Sequence, residues 1–289
     1  VGMACNIPPH NLRELIDASV HLLEDPKATT EDLLNYVKGP DFPTGGMIFN
    51  EKDIHLAYAN GRGGVVCRGE AEIVEQKNGM FQIVITSIPF RVTKSDLVEK
   101  IGMLVHEKKL EGIKGLRDES TEDVRVVVDV KPSAHPQNIL NFLYKHTQLE
   151  ETFHFNMVAL VDGIPQTLSL KAALEEYVKH RYEVVTRRTK FELAKAEARE
   201  HILIGLKIAL DHIDEVIKTI RASKDTPTAK ANLIKKFKLS DIQATAILEM
   251  RLQKLAGLER QKVEDELAAV RIVIKDLKEL LASPTKMKN

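Results

Sequence analysis

Residues 170–221 read LKAALEEYVKHRYEVVTRRTKFELAKAEAREHILIGLKIALDHIDEVIKTIR, a stretch without proline and dominated by Ala, Glu, Lys, Arg and Leu. Each of these residues favours helix, and their sum over this window predicts one helix of some 50 residues. At about 1.5 Å per residue such a helix is too long to be buried in one compact domain. Its distal part carries Ile202, Leu206, Ala209, Ile213, Val216 and Ile220 at alternating steps of four and three, a seam for one partner helix. Val263, Leu267, Val270, Ile274, Leu277 and Leu281 repeat that spacing, and shorter helical pieces such as Ser240–Leu252 lie between the two seams. This pattern predicts a long antiparallel helical hairpin capped by a small all-helical globule. Two independent surface helices packed on a core are the competing reading.

Upstream of this stretch the pattern changes period. Phe81, Ile83 and Ile85 alternate, Val124–Val130 is nearly continuous valine, and Met157–Val161 is a third apolar run, as expected of strands. Helix starts stand between them: Pro8 and Pro9 precede a helical segment, Thr30 stands before Glu31 and Asp32, and Ser95 opens an apolar-periodic stretch to Leu110. The fold class is therefore α+β, a mixed domain followed by the helical hairpin. With 289 residues, two or three structural units are expected.

Lys plus Arg and Asp plus Glu both total 42, so the formal charge is zero and a uniformly basic DNA-coating protein is excluded. The balance is uneven: residues 1–176 hold 18 basic and 26 acidic side chains, and residues 177–289 hold 24 and 16. Two cysteines, Cys5 and Cys67, are too few for a disulfide framework and are expected to be inert. There is no run of 18 apolar residues and no leader with a cleavage site, so the expected compartment is the cytoplasm. No phosphate-binding loop occurs, Gly61-Arg62-Gly63-Gly64 lacks dinucleotide-binding spacing, and His106-Glu107 lacks the second histidine of a zinc helix. Tyr182, beside Arg181, is expected to pack rather than react. Val1 is not an initiator methionine, so the sequence is expected to be a piece of a longer chain.

Six blocks carry a resemblance across the whole sequence: Val1–Leu12 (VGMACNIPPHNL), Gly39–Gly46 (GPDFPTGG), Gly61–Gly63 (GRG), Leu116–Ser120 (LRDES), Val184–Thr189 (VVTRRT) and Leu252–Glu259 (LQKLAGLE). Together they resemble the A subunit of bacterial type II DNA topoisomerases. Asn6 and the Pro-Thr-Gly-Gly ending of the second block resemble the gyrase A subunit more than that of topoisomerase IV. The resemblance implies that residues 1–24 end a winged-helix DNA-gate region and 25–168 form a tower. It further implies that 169–221 and 259–289 form an antiparallel coiled coil, and 222–258 an exit-gate dimerisation globule.

It implies three partners, namely double-stranded DNA, a second copy of the chain and the gyrase B subunit, with no membrane role. The catalytic tyrosine is expected upstream of Val1, and ATP and Mg2+ on the B subunit, leaving this chain without catalytic residue, metal or cofactor. Ile7 corresponds to the apolar wedge that bends the gate duplex, with Asn6 and Pro8 beside it. Arg62 and Arg68, expected to flank a glycine-rich turn, and Arg91 and Lys94, expected before a helix start, are the candidate phosphate contacts. Ile242, Ala246, Ile247, Met250 and Leu255 are the candidate dimer contacts. A topoisomerase IV A-subunit piece, or a coiled-coil dimerisation scaffold with no DNA role, are the alternative readings. The half assigned to flank bent DNA is the acidic one, so contact there must come from local basic strips.

Overall fold

A computed structural model describes residues 2–77, 79–250 and 257–288, and the chain divides into two units, Val1–Val178 and Lys179–Asn289. Unit 1 runs α1 (Leu12–Glu24), α2 (Thr30–Leu33), β1 (Met47–Phe49), α3 (Glu51–Asn60), β2 (Arg62–Arg68), β3 (Ala71–Glu75) and β4 (Phe81–Ile85). It continues with α4 (Lys94–His106), β5 (Ile113–Asp118), β6 (Val126–Val130), α5 (Pro136–His146), β7 (Glu150–Asn156), β8 (Val158–Val161), β9 (Ile164–Thr167) and the start of α6 (Leu170–Asp211). The α+β class expected from the sequence is the one observed.

Two cores hold unit 1. In the first, the antiparallel sheet β1-β2-β7 packs against α1, α2 and α3 through Ala18, Leu33, Val37, Ala57, Tyr58 and Phe155, and Leu170 and Leu174 at the start of α6 join it. In the second, the antiparallel sheet β3-β4-β6-β5 lays Ile83, Ile85, Val126 and Val128 against Leu97 and Ile101 of α4 and Leu143 of α5. Val84 and Val127 on the opposite face of these central strands are buried as well, which is why the valine run of β6 is continuous rather than alternating. β8 and β9 form a separate hairpin whose turn residues, Asp162 and Gly163, both have positive φ, the requirement of a tight two-residue connection.

Several helix boundaries differ from the sequence expectation. The cap of α2 is Thr29, not Thr30: Thr29 and Asp32 satisfy each other's backbone in a capping box. The residue before α4 is Thr93, not Ser95, and α4 ends at His106; Lys108 then enters the left-handed region, and Leu110 is buried outside the helix. The glycine-rich segment is a turn only at Gly61, with φ 70°; Arg62, Gly63 and Gly64 are strand residues of β2. Side chains are excluded there because a Cβ on Gly63 would lie 2.8 Å from that of Ala57.

Unit 2 contains the rest of α6, then α7 (Ile213–Arg221), α8 (Thr226–Phe237), α9 (Asp241–Leu248), α10 (Gly257–Ala282) and α11 (Pro284–Lys288). The single helix of some 50 residues is corrected: α6 has 42 residues and stops where His212 adopts φ −120°, ψ 36°. Restarting as α7 lets Val216 enter the core formed by Leu203, Leu206, Leu233, Ala244 and Ile247, and this packing overrides helix propensity. The helix expected over Ser240–Leu252 ends at Leu248, within the described residues.

α6 and α10 run antiparallel. Arg260 pairs with Asp211, Lys207 with Glu264 at 3.1 Å, Arg199 with Glu266 at 2.6 Å, Arg271 with Glu200 at 2.7 Å and Lys278 with Glu197 at 2.8 Å, so from Arg260 on to Lys278 the α6 partners run back from Asp211 to Glu197. Each exposed pair contributes only about 0–1 kcal/mol, so the apolar seam carries the stability. Its α10 side is the expected one, with Leu267 and Ile274 buried. The α6 side is wider than one seam, because Leu203 is buried in the core that Leu233 of α8 and Ala244 and Ile247 of α9 also form. The long helical hairpin capped by a helical globule is the observed architecture.

Candidate nucleic-acid interface

The N-terminal segment of unit 1 is clamped to the end of β7. Asn6 and Asn156 exchange both backbone hydrogen bonds, each 2.9 Å, the Asn156 side chain donates to the Ala4 carbonyl, and the Asn6 side chain donates to the His154 carbonyl. Behind Asn6 the chain stays fixed: Pro8 is buried, the Pro9 carbonyl accepts from the Asp41 amide at 2.9 Å, and His10 Nε2 lies 2.8 Å from the Tyr58 hydroxyl. Asn11 then caps α1 by accepting from the Arg13 amide. Between these anchors Ile7 is 46% exposed, an apolar side chain held in water by a stiff support. Proline fixes φ, so the two prolines remove much of the freedom the segment would otherwise have.

Burial lowers the His10 pKa, and a hydrogen bond to Pro8 opposes that shift in part. The imidazole is therefore kept neutral against Tyr58, whose own phenol is pushed upward first by burial and then by Glu14. A neutral ring serves this place because a buried charge beside Tyr58 would be unpaired.

The structure gathers some of the predicted basic residues here and not others. Arg62 Nε donates to Asn156 Oδ1 at 3.1 Å, so Arg62 shares the residue that holds Asn6. Arg91 has φ 72° and places its guanidinium 5.4 Å from the Phe153 ring centre, lining with Asn6 and His154 one shallow cleft. Arg68 is turned to internal partners: it pairs with Glu150 and sits over the rings of Phe49 and Tyr144 at 4.5 and 4.4 Å. Lys94 is the first residue of α4 and pairs with Asp118 at 2.8 Å.

That second pair gives a measurable prediction. The Lys94 ammonium, then the Ser120 side chain and amide, hold the Asp118 carboxyl at about 2. A depressed carboxylate adds stability that is complete above its unfolded value of about 3.9 and is lost as pH falls through about 2. Lys94→Met is expected to raise the Asp118 midpoint, followed by carboxyl chemical shifts, but to leave it below the ordinary value because the Ser120 amide still donates at 3.0 Å. An unmoved midpoint would show that Lys94 is not its main partner.

Of the candidate dimer residues, Ile242 on α9 is 61% exposed, Ala246 and Met250 are half-buried, and Ile247 belongs to the core of unit 2. Leu255 lies outside the described residues. α9 is held to α6 by a compact network: Ser240 and Gln243 form a capping box, Gln243 Nε2 donates to the His201 carbonyl at 2.7 Å, and His201 Nε2 meets Ser240 Oγ at 2.6 Å.

The family model that describes the A subunit of DNA gyrase/topoisomerase IV matches residues 1–289. The chain belongs to this family. It is 51% identical over 288 residues to the DNA gyrase A subunit of Clostridium acetobutylicum, covering 99% of this chain and 35% of that protein. It is 54% identical over 268 residues to that of Lawsonia intracellularis (92% and 33%), and 50% identical over 288 residues to that of Streptococcus pneumoniae serotype 4 (99% and 35%). The chain thus spans about a third of the length of the curated relatives it matches. Within this member of the DNA gyrase/topoisomerase IV family, no helix among the described residues is long and apolar enough to cross a membrane.

Asn156, which holds Asn6 through both backbone bonds, was not among the candidates read from the sequence. Its signal was weak, since an asparagine ending a strand usually marks a turn. The His10–Tyr58 contact was missed as well, because its members are 48 residues apart.

Proposed function

We propose that this chain is part of the breakage-reunion subunit of a DNA gyrase, which changes DNA topology by ATP-dependent passage of one duplex through a transient double-strand break in another. In this reading unit 1 supports and bends the gate duplex, and unit 2 supplies an exit gate that closes against a second copy through Ile242 and its neighbours. The partners are double-stranded DNA and a gyrase B subunit carrying ATP and Mg2+, in the cytoplasm. The covalent link to DNA belongs to a tyrosine outside these residues, so this chain alone is expected not to cut DNA.

The observation that carries the reading is Ile7, exposed between the Asn6–Asn156 pair and the Pro8–His10 anchors. A wedge that unstacks a base step works against a few kcal/mol, so a mobile side chain would fold away instead of inserting. Arg62 and Arg91, beside the same clamp, supply cations for the phosphates of the bent arms. Ile7→Ala in the longer subunit, assembled with its B partner, is expected to reduce duplex bending read by end-to-end energy transfer, and DNA cleavage with it. Bending and cleavage equal to the unsubstituted protein would overturn the assignment.

A further inference from the structure

The geometry points to a second duplex-binding strip, on α6 within unit 2: Arg181, Arg188 and Lys195, with Phe191 among them, take the phosphate backbone of double-stranded DNA. The inference rests on the reading of this chain as a DNA-handling subunit. Steps of seven residues are nearly two helical turns, so the three cations form one row with about 10.5 Å between neighbours. Val184 and Phe191 fall on the same row at steps of three and four. The packed side of α6 in this region is marked by buried Thr189 and by Thr186, whose hydroxyl lies 3.9 Å from Met287 Sδ. That side is roughly 120° around the helix from the row.

Ion pairing divides α6 sharply. From Glu197 onward, charges on α6 are matched across the hairpin, as in Glu197–Lys278, Arg199–Glu266, Glu200–Arg271, Lys207–Glu264 and Asp211–Arg260. Before Glu197, Arg187 pairs with Glu183 within the helix, whereas Arg181, Arg188 and Lys195 have no carboxylate partner among the described residues. Glu192 is the one other acid between Arg181 and Lys195. Phe191, on the same row, is 71% exposed.

Duplex DNA fits this row better than an acidic protein segment does. Three cations spread over about 21 Å would require a protein to present carboxylates in matching register. A duplex carries one charge per about 1.7 Å of axis and meets the row in any register. The Phe191 ring then lies against the sugar edge between phosphate contacts. This strip supplies cations outside unit 1, whose net charge is negative.

The test is the salt dependence of duplex binding by the 289-residue chain, followed by fluorescence anisotropy on a duplex of arbitrary sequence. The combined variant Arg181→Gln, Arg188→Gln, Lys195→Gln is expected to lower the slope of log K against log salt by about 2.7, and to weaken binding at about 50 mM salt at least about tenfold. Arg181→Lys with Arg188→Lys keeps the charges and retains the slope. Removing three cations that are already ion-paired, by Lys275→Gln, Lys278→Gln and Lys286→Gln, is expected to change the slope by less than about 1. All these positions are on the surface, and thermal unfolding checks that each variant remains folded. The strip is overturned if the glutamine variant binds like the parent, if the paired-cation variant loses as much, or if the parent chain binds no duplex. A failed wedge would instead appear in the bending assay with Ile7→Ala, so the two assignments fail separately.

Discussion

Gly61→Ala is expected to destabilise unit 1 by about 3 kcal/mol, the sum of a left-handed residue carrying a Cβ and a backbone collision. Gly61 ends α3 with φ 70°, and a Cβ there would stand 2.1 Å from the Leu168 carbonyl oxygen. No side-chain rotation relieves that contact, because the obstacle is main chain. The Gly61 carbonyl also accepts the Met157 amide, and the Met157 carbonyl accepts that of Leu168, both at 2.9 Å. Pushing Leu168 away therefore loosens the junction where β7 ends, one residue from the Asn6 clamp. Two readouts check this: the midpoint of urea unfolding for unit 1, and faster hydrogen exchange at Met157 and Leu168. A loss below about 1 kcal/mol would mean that Leu168 moves aside freely and that the junction is not tight.

Gly205→Ala tests the helical unit, and here the sign is the decisive quantity. Glycine inside a helix is worse than alanine by about 1 kcal/mol, so propensity alone predicts a more stable protein. The packing predicts the reverse. A Cβ on Gly205 would meet Gln243 Cβ and Cγ at 2.7 Å, and Gln243 is buried and tied to the Ser240 cap. Its Cβ cannot withdraw unless α9 moves, which stretches the 2.7 Å bond to the His201 carbonyl. Overpacking together with the strained hydrogen bonds outweighs the gain, leaving a net loss of about 2 kcal/mol. Measured thermal unfolding of unit 2 decides the matter, and a stabilised Gly205→Ala protein would disprove the notch. Because α9 also carries Ile242, the same substitution is expected to shift whatever surface Ile242 presents.

The parts of this molecule legible in its sequence are those written in short-range periodicity. The α10 seam was readable because Leu267 and Ile274 recur at the coiled-coil step, and β4 and β6 because their apolar residues are dense. What could not be read depends on contacts between distant residues. Nothing local at His212 announces that α6 ends there; the break is dictated by where α8 and α9 leave room for Val216. Thr29 and Thr30 are equally good caps in isolation, and the choice falls to whichever lets Leu33 and Leu34 reach the core. The candidate interface divides in the same way. Ile7 and its prolines form a compact block, whereas the partners of Arg68, namely Phe49, Tyr144 and Glu150, converge on it from three separate elements that no local pattern links.

The clamp on Asn6 also has a kinetic meaning. The Asn6 side chain reaches the His154 carbonyl across 148 residues, so closing this contact brings together nearly the whole of unit 1. Loop-closure entropy and contact order place such a contact late in folding, after the hairpins and helices it encloses have formed. An exposed isoleucine on a segment that locks last becomes a report of completed assembly: until β7 is seated, nothing fixes the place of Ile7. In unfolding the order reverses. The edge segment is the first to fray, and Ile7 loses its fixed position well before either core of unit 1 is breached.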